Sequence, residues 1–390
     1  HCMENFQIEA LCKIVETVME GHKLPAGKSG QLFCAKAVQR IQLPVQDLFI
    51  GVNEYQQLPE ILENFKKGDR AKYRSDQYLD FDENLKRRLE ANPYTSTLRI
   101  SEGCDNVCAY CVIPQIRGKF RSRRQEDIIR EAEWLAQQGT KEIILIAQDV
   151  TAYGKDLYGG FVLPELLRKL CKVDGIEWIR LMYCYEDRIT DELIQVMAEE
   201  DKICKYIDVP LQHCSDNVLK AMNRRSTNES MRNTVAKLRA AMPDIHIRTT
   251  FIVGFPGETE DDFEELYNFV DEVEFQRLGV FTYSMEEGTA AAEMDNQIDE
   301  EVKSQRQDAI MRLQLEISLE NNQAMIGKTL KVLVEEQDQE GAYIGRTEYD
   351  APEIDNSVIF TSDKEHFAGE FVMVEITDAF DYDLAGKEVM

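Results

Sequence analysis

Between Tyr94 and about Gln323 the chain repeats one pattern, a short apolar run followed by an amphipathic one, often enough to leave few folds open. The strand-like runs are "TLRIS" (97–101), "KEIILIAQD" (141–149), "WIRLMY" (178–183), "YIDVPLQ" (206–212), "HIRTTFIVG" (246–254) and "LGVFTYS" (278–284). Between them lie "EDIIREAEWLAQQG", closed by Gly139, then "PELLRKLCKV", "DELIQVMAEE", "SMRNTVAKLRAAM" and "EDDFEELYNFVDEV", all with helical spacing of apolar residues. Six strands with crossover helices predict an α/β fold around a parallel sheet, closed or partly closed into a barrel. In such folds the reacting groups sit at the C-terminal ends of the strands.

The flanking segments differ in character. Residues 1–70 carry a helix "EALCKIVETVMEG" and a strand "DLFIGV", and 71–93 are a charged connector to the barrel over 94–321. Residues 322–390 read as all-β, with "KTLKVLVEE", "GAYIGRTEY", "SVIFTS" and "EFVMVEITDAF" separated by turn residues, which predicts a small β-barrel. Over 321–390 there are 5 Lys and Arg against 16 Asp and Glu, a net of −11, and the whole chain carries −27. Broad binding to a phosphate backbone runs on Lys and Arg, so this balance argues for a basic protein as partner instead. No apolar run is long enough to cross a membrane, and a cytoplasmic location is expected.

Three of the ten cysteines fall within "SEGCDNVCAYCVI" (101–113), directly after the first strand: Cys104, Cys108 and Cys111. Structural zinc wants four N or S ligands, usually as two knuckles, and no second knuckle follows. A disulfide would leave an odd thiol. A cubane 4Fe-4S cluster has four irons, so three thiolates would leave one iron open to another molecule.

CxxxCxxC after the first strand of a βα barrel resembles the signature of the radical S-adenosylmethionine enzymes. The resemblance implies a partial TIM-like barrel in which the open iron is chelated by the amino and carboxylate groups of S-adenosylmethionine. One electron from the cluster then yields a 5′-deoxyadenosyl radical. It also implies cofactor contacts at Tyr110, on the adenine, and at Gln148 and Asp149, near the methionine amino group. Gln212 is a polar group at the fourth strand's end, Arg248 would reach the carboxylate or ribose, and Gly254 lies where the strand backbone runs along the adenosyl moiety. Each has a plainer alternative: Tyr110 as core, Gln148 and Asp149 as turn residues, and the glycines of "GFPGE" as chain reversal with Glu258 or Thr259 starting a helix. His213 reads more readily as structural. The basic island "IPQIRGKFRSRR" offers Arg117, Arg121 and Arg123 to an anionic ligand, or is a solvated loop.

The order of domains, with "CDNVCAYCVIPQIRGKFRSR", "AQDVTAYG", "VPLQHCSDNVLKAMNRR" and "IVGFPGETEDDFEEL", resembles the methylthiotransferases from about Asp47 onward. That family implies an N-terminal domain with a second 4Fe-4S cluster, a radical barrel and a C-terminal TRAM barrel. It implies two molecules of S-adenosylmethionine per product, and reduced flavodoxin or ferredoxin as electron donor. A MiaB-like branch modifies an adenosine in transfer RNA; a RimO-like branch modifies the β-carbon of an aspartate in ribosomal protein S-twelve of the small subunit. The acidic C-terminal barrel, with "MYCYEDRITDELI" and "GRTEYDAPEIDNSV", resembles the RimO-like branch and speaks against direct tRNA binding. A non-catalytic binding protein with a structural metal is the reading from outside the enzymes. At the N-terminus the family's first cysteine motif has no counterpart; Cys2 and Cys34 match the second and third loosely, and Cys12 falls on a helix face. The expectation is that the chain begins inside that domain or has lost the second cluster.

Overall fold

The computed structural model describes residues 49–51, 54, 57–66, 72–73, 89 and 92–389. Cys2, Cys12 and Cys34 lie outside the described residues, as does most of the connector expected over 71–93. The chain forms two compact units, one of 1–82 with 112–118 and one of 83–111 with 119–390. In the first, Phe49–Ile50 pairs in parallel with Lys72–Tyr73, and Ile50 packs with Leu58, Ile61 and Leu62 of the helix Leu58–Lys66. The one-turn helix Ile113–Arg117, opened by Pro114, belongs to it as well.

The second unit holds the expected sheet. Strands β1 (Thr95–Arg99), β2 (Glu142–Ile146), β3 (Trp178–Leu181), β4 (Ile203–Asp208), β5 (His246–Val253) and β6 (Arg277–Thr282) lie side by side in chain order, every pair parallel. β1 and β6 do not pair, so the barrel is partial. The connections carry α1 (Gln125–Gln137), α2 (Leu163–Leu170), α3 (Asp191–Glu199), α4 (Asp216–Ala221) and α5 (Asn228–Ala241), then α6 (Glu260–Val273). Thr227 and Thr259 open α5 and α6 with reciprocal capping boxes, so it is Thr259 and not Glu258 that starts the helix after the glycine-rich turn. Gly139, at φ +100°, ends α1 where a side chain would be strained.

One face of the sheet, with Leu98, Ile143, Leu145, Leu181, Ile207 and Ile247, is sealed by helix residues such as Ile128, Leu167 and Phe269. On the other, Ile144, Trp178, Met182, Cys204 and Tyr206 meet Leu333 and Ala351 from the C-terminal barrel. That barrel is closed by β7 (Thr329–Gln337), β8 (Tyr343–Thr347), β9 (Val358–Thr361), β10 (Phe371–Ala379) and β11 (Leu384–Glu388), in the order β7-β8-β9-β11-β10. Closure leaves no free edge to recruit another strand. The long helix α7 (Glu300–Gln323) leads into it, and Asn322 Nδ2 donates to the Phe380 carbonyl at 2.8 Å. No helix among the described residues is long and apolar enough to cross a membrane.

Candidate functional site

The segment 103–111 leaves β1 at the C-terminal edge of the sheet and is tied down from several elements. Gly103, at φ +81°, donates its N–H to Gln148 Oε1 at 2.6 Å just beyond β2. Asn106 Nδ2 donates to Asp149 Oδ2 at 3.0 Å, and Arg188 Nη2 donates to Asn106 Oδ1 at 2.8 Å while Nη1 pairs with Asp149. Asp149 also accepts from Thr151 Oγ1 and the Ala152 N–H, so its buried carboxylate is fully used in bracing this loop. On the far side Ala109 N–H donates to the Met222 carbonyl at 2.9 Å, Ala109 O accepts from Ala291 N–H, and Asn223 Nδ2 holds the Val107 carbonyl.

Cys104, Cys108 and Cys111 form no disulfide and are half-buried on this braced loop. Burial pushes the Cys104 thiol up to about 12, and Asp149 and the two other cysteines push the same way. Mutual repulsion of this kind is what a shared cation would reverse. Among the described residues no three His, Cys, Asp or Glu side chains stand gathered for a metal ion, so the three thiols would have to turn toward a shared ligand. Cys184, Cys204 and Cys214 are buried in cores and Cys171 packs against one, so none stands as a fourth ligand.

The other expected residues divide by what holds them. Tyr110 packs edge-on to Phe255, 6.5 Å between ring centroids, and its hydroxyl accepts from Arg224 Nη1 at 3.4 Å. Gln212 has φ +72°, a conformation that glutamine adopts at a cost of about 1–3 kcal/mol. Its backbone bonds with Thr250 and Ile252 hold it beside β5. Arg248 donates to Asp208 Oδ1 at 3.2 Å and to Asp355 Oδ1 of the C-terminal barrel at 3.3 Å, so it joins the two barrels. His213 is fully buried, accepts from the Ser215 N–H, and is pushed down to about 3 by burial, which leaves it neutral and structural. The basic island contributes less than expected: Arg123 is buried against Glu131 at 2.7 Å and the Arg99 carbonyl, so it is not a free cation, because the turn into α1 needs those bonds. Arg121 lies 3.9 Å from Glu102, and Arg117 ends the one-turn helix of the first unit.

Gly254 is a glycine for a reason of packing. At φ +70° a Cβ there would lie 2.2 Å from Lys303 Cγ, and Lys303 is itself buried with its ammonium on the Tyr283 carbonyl at 3.1 Å. Gly254→Ala is expected to destabilise the protein by about 1–3 kcal/mol, read by chemical denaturation; an unchanged midpoint would mean that α7 yields freely.

Sequence reasoning missed the side chains that reach the loop from distant segments: Asn106, Arg188, Tyr185 and Arg224. Tyr185 Oη lies 3.3 Å from Cys108 Sγ, and the Arg224 guanidinium stacks 4.2 Å from the Tyr185 ring.

The model of the radical SAM superfamily matches residues 98–270, and that of the TRAM domain matches 326–389. A protein of Clostridioides difficile (strain 630), named ribosomal protein uS12 methylthiotransferase RimO, is 50% identical over 347 residues, 89% of this chain and 78% of its own length. The protein of the same name from Desulforamulus reducens is 50% identical over 349 residues, covering 89% and 79%. That from Caldanaerobacter subterraneus subsp. tengcongensis is 49% identical over 347 residues, again 89% and 79%.

Proposed function

Because the chain belongs to the RimO family of ribosomal protein uS12 methylthiotransferases, we propose that it transfers a methylthio group to the β-carbon of an aspartate in that protein. The observation that carries the assignment of the site is the braced loop 103–111, which presents three cysteine thiols outside any disulfide at the C-terminal edge of a parallel βα sheet. The donor set fits: soft thiolates suit an iron-sulfur cluster, and three of them leave one iron of a 4Fe-4S cluster for S-adenosylmethionine. When bound, the cluster supplies the electron that splits the sulfonium of that cofactor.

The chain's own residues do the holding. Cys104, Cys108 and Cys111 are the ligands, and Gln148 and Asp149 fix the backbone that carries them. Gln212 spends backbone strain to present its amide at the end of β4, where it suits a polar group of the cofactor. Tyr110 offers its ring to the adenine, Arg248 is oriented by Asp208 and Asp355 for the cofactor's carboxylate, and Gly254 keeps the β5 end close to α7. The electron comes from reduced flavodoxin or ferredoxin, and the reaction takes place in the cytoplasm, where the ribosome is. Cys2 and Cys34 are the candidate ligands of a second cluster. After anaerobic reconstitution about eight irons per chain would assign one to them, and about four would leave the radical cluster alone.

The acidic C-terminal barrel, net −11 over 321–390, suits a basic protein and repels a phosphate backbone. Reconstituted protein given S-adenosylmethionine and a reductant is expected to add the mass of one methylthio group to uS12 and none to transfer RNA. The reverse result in mass spectrometry would move the chain to the adenosine-modifying branch.

A further inference from the structure

Arg224 is 8% exposed, yet among the described residues its guanidinium has no carboxylate partner. Nη1 donates to the Tyr110 hydroxyl at 3.4 Å, Nη2 donates to the Pro210 carbonyl at 3.0 Å, and Nε is buried without any acceptor. Every other arginine buried to this degree among the described residues is neutralised: Arg123 by Glu131, Arg180 by Glu142, Arg188 by Asp149, Arg277 by Asp350, Arg306 by Glu258 and Arg346 by Glu142. A buried charge left alone is costly, so an anion belongs near Arg224. The anion-forming group on its side is the Cys108 thiol. Tyr185 lies between them, its ring 4.2 Å from the Arg224 guanidinium and its hydroxyl 3.3 Å from Cys108 Sγ. Once Cys108 is a metal-bound thiolate it has no proton to give, so the hydroxyl must donate to sulfur.

We propose that Arg224 is the counter-charge of the cysteine-bound cluster and that Tyr185 donates a hydrogen bond to its Cys108 sulfur, the two together setting how readily the cluster accepts an electron. This rests on Cys104, Cys108 and Cys111 being the ligands. A cation and a hydrogen bond beside the sulfurs both favour the reduced, more negative cluster over the oxidised one, and so raise its reduction potential. Both are positioning residues that act through the Cys108 ligand.

The test is an anaerobic redox titration of the reconstituted full chain with dithionite as the one-electron donor, read by the electron paramagnetic resonance signal of the reduced cluster. Iron content and S-adenosylmethionine affinity are measured alongside. Tyr185→Phe keeps the ring and its packing and is expected to take up the same iron with a more negative midpoint. Arg224→Gln is expected to shift it further, by about tenfold in the equilibrium constant for reduction, or about 59 mV for one electron. Arg224→Lys, which restores the charge, is expected to recover most of that shift. Unchanged midpoints in both Tyr185→Phe and Arg224→Gln, at normal iron content, overturn the proposal. So does a loss of cofactor affinity with an unmoved midpoint, which would place Arg224 on the cofactor. If Arg224→Gln fails to load iron, Tyr185→Phe decides alone. A wild-type protein that takes up no cluster would instead refute the ligand assignment beneath it.

Discussion

A Cys104→Ala variant is expected to lose about four irons per chain after reconstitution and to form no 5′-deoxyadenosine, while its unfolding free energy without metal stays within about 1 kcal/mol of wild type. The two halves of that expectation come from different features. Cys104 is half-buried on a loop held by Gln148 at the Gly103 N–H, by Asp149 at the Asn106 side chain and by the Met222 carbonyl at the Ala109 N–H, none of which is a cysteine side chain, so removing one sulfur leaves the fold its supports. Among the described residues the cluster has no substitute ligand to draw on, because the other cysteines there are packed in or against cores. Cys214→Ala is the matched control: it empties a fully buried position and costs stability, yet should keep the iron and the cleavage. Cleavage surviving in Cys104→Ala, or vanishing in Cys214→Ala at full stability, would sink the assignment of the three ligands.

What could be read in advance followed the range of the interaction responsible. β2 and β3 were legible because a parallel strand covered on both faces reads as a short, largely apolar run, as "EIILI" does. The cysteine triplet was legible because its chemistry is written in eight consecutive positions. The groups that brace it were not, since Tyr185 and Arg188 come from one crossover and Arg224 from the next, and each is individually an ordinary loop residue. Gly254 shows the opposite error, a local motif whose glycine is explained by Lys303 almost fifty positions later. The C-terminal strands could be counted but not ordered: nothing in "SVIFTS" announces that β9 runs parallel to β11. One signal was available and overlooked. Arg180 stands in the middle of the apolar run "WIRLMY", and a charge there must either break the strand or find a buried partner.

That partner is Glu142, and its loss is expected to be the most damaging single change to stability outside the site. Both side chains are fully buried, with Arg180 Nε on Glu142 Oε1 at 2.8 Å, and Arg346 of the C-terminal barrel pairs with the other oxygen of the same carboxylate. Arg180 continues to the Glu348 carbonyl at 2.7 Å, and Arg346 continues to Glu335 at 2.7 Å, so one carboxylate stitches the parallel sheet to the closed barrel. Glu142→Gln keeps the shape and removes the charge, leaving two guanidinium groups in a dry space, and should cost about 3–5 kcal/mol. Burial pushes the Glu142 carboxyl up, but Arg346 and Arg180 outweigh it and hold the group down to about 2, below its ordinary 4.5. A depressed carboxyl contributes stability that is complete above about pH 4.5 and is lost as the pH falls through 2, since only the unfolded chain takes up the proton in that window. The wild-type protein should therefore weaken between pH 4.5 and 2 more steeply than Glu142→Gln, and the gap between them should narrow as the acid limit is approached. Denaturation midpoints that fall in parallel across that range would show that the carboxylate is not the charge on which the joint between the barrels depends.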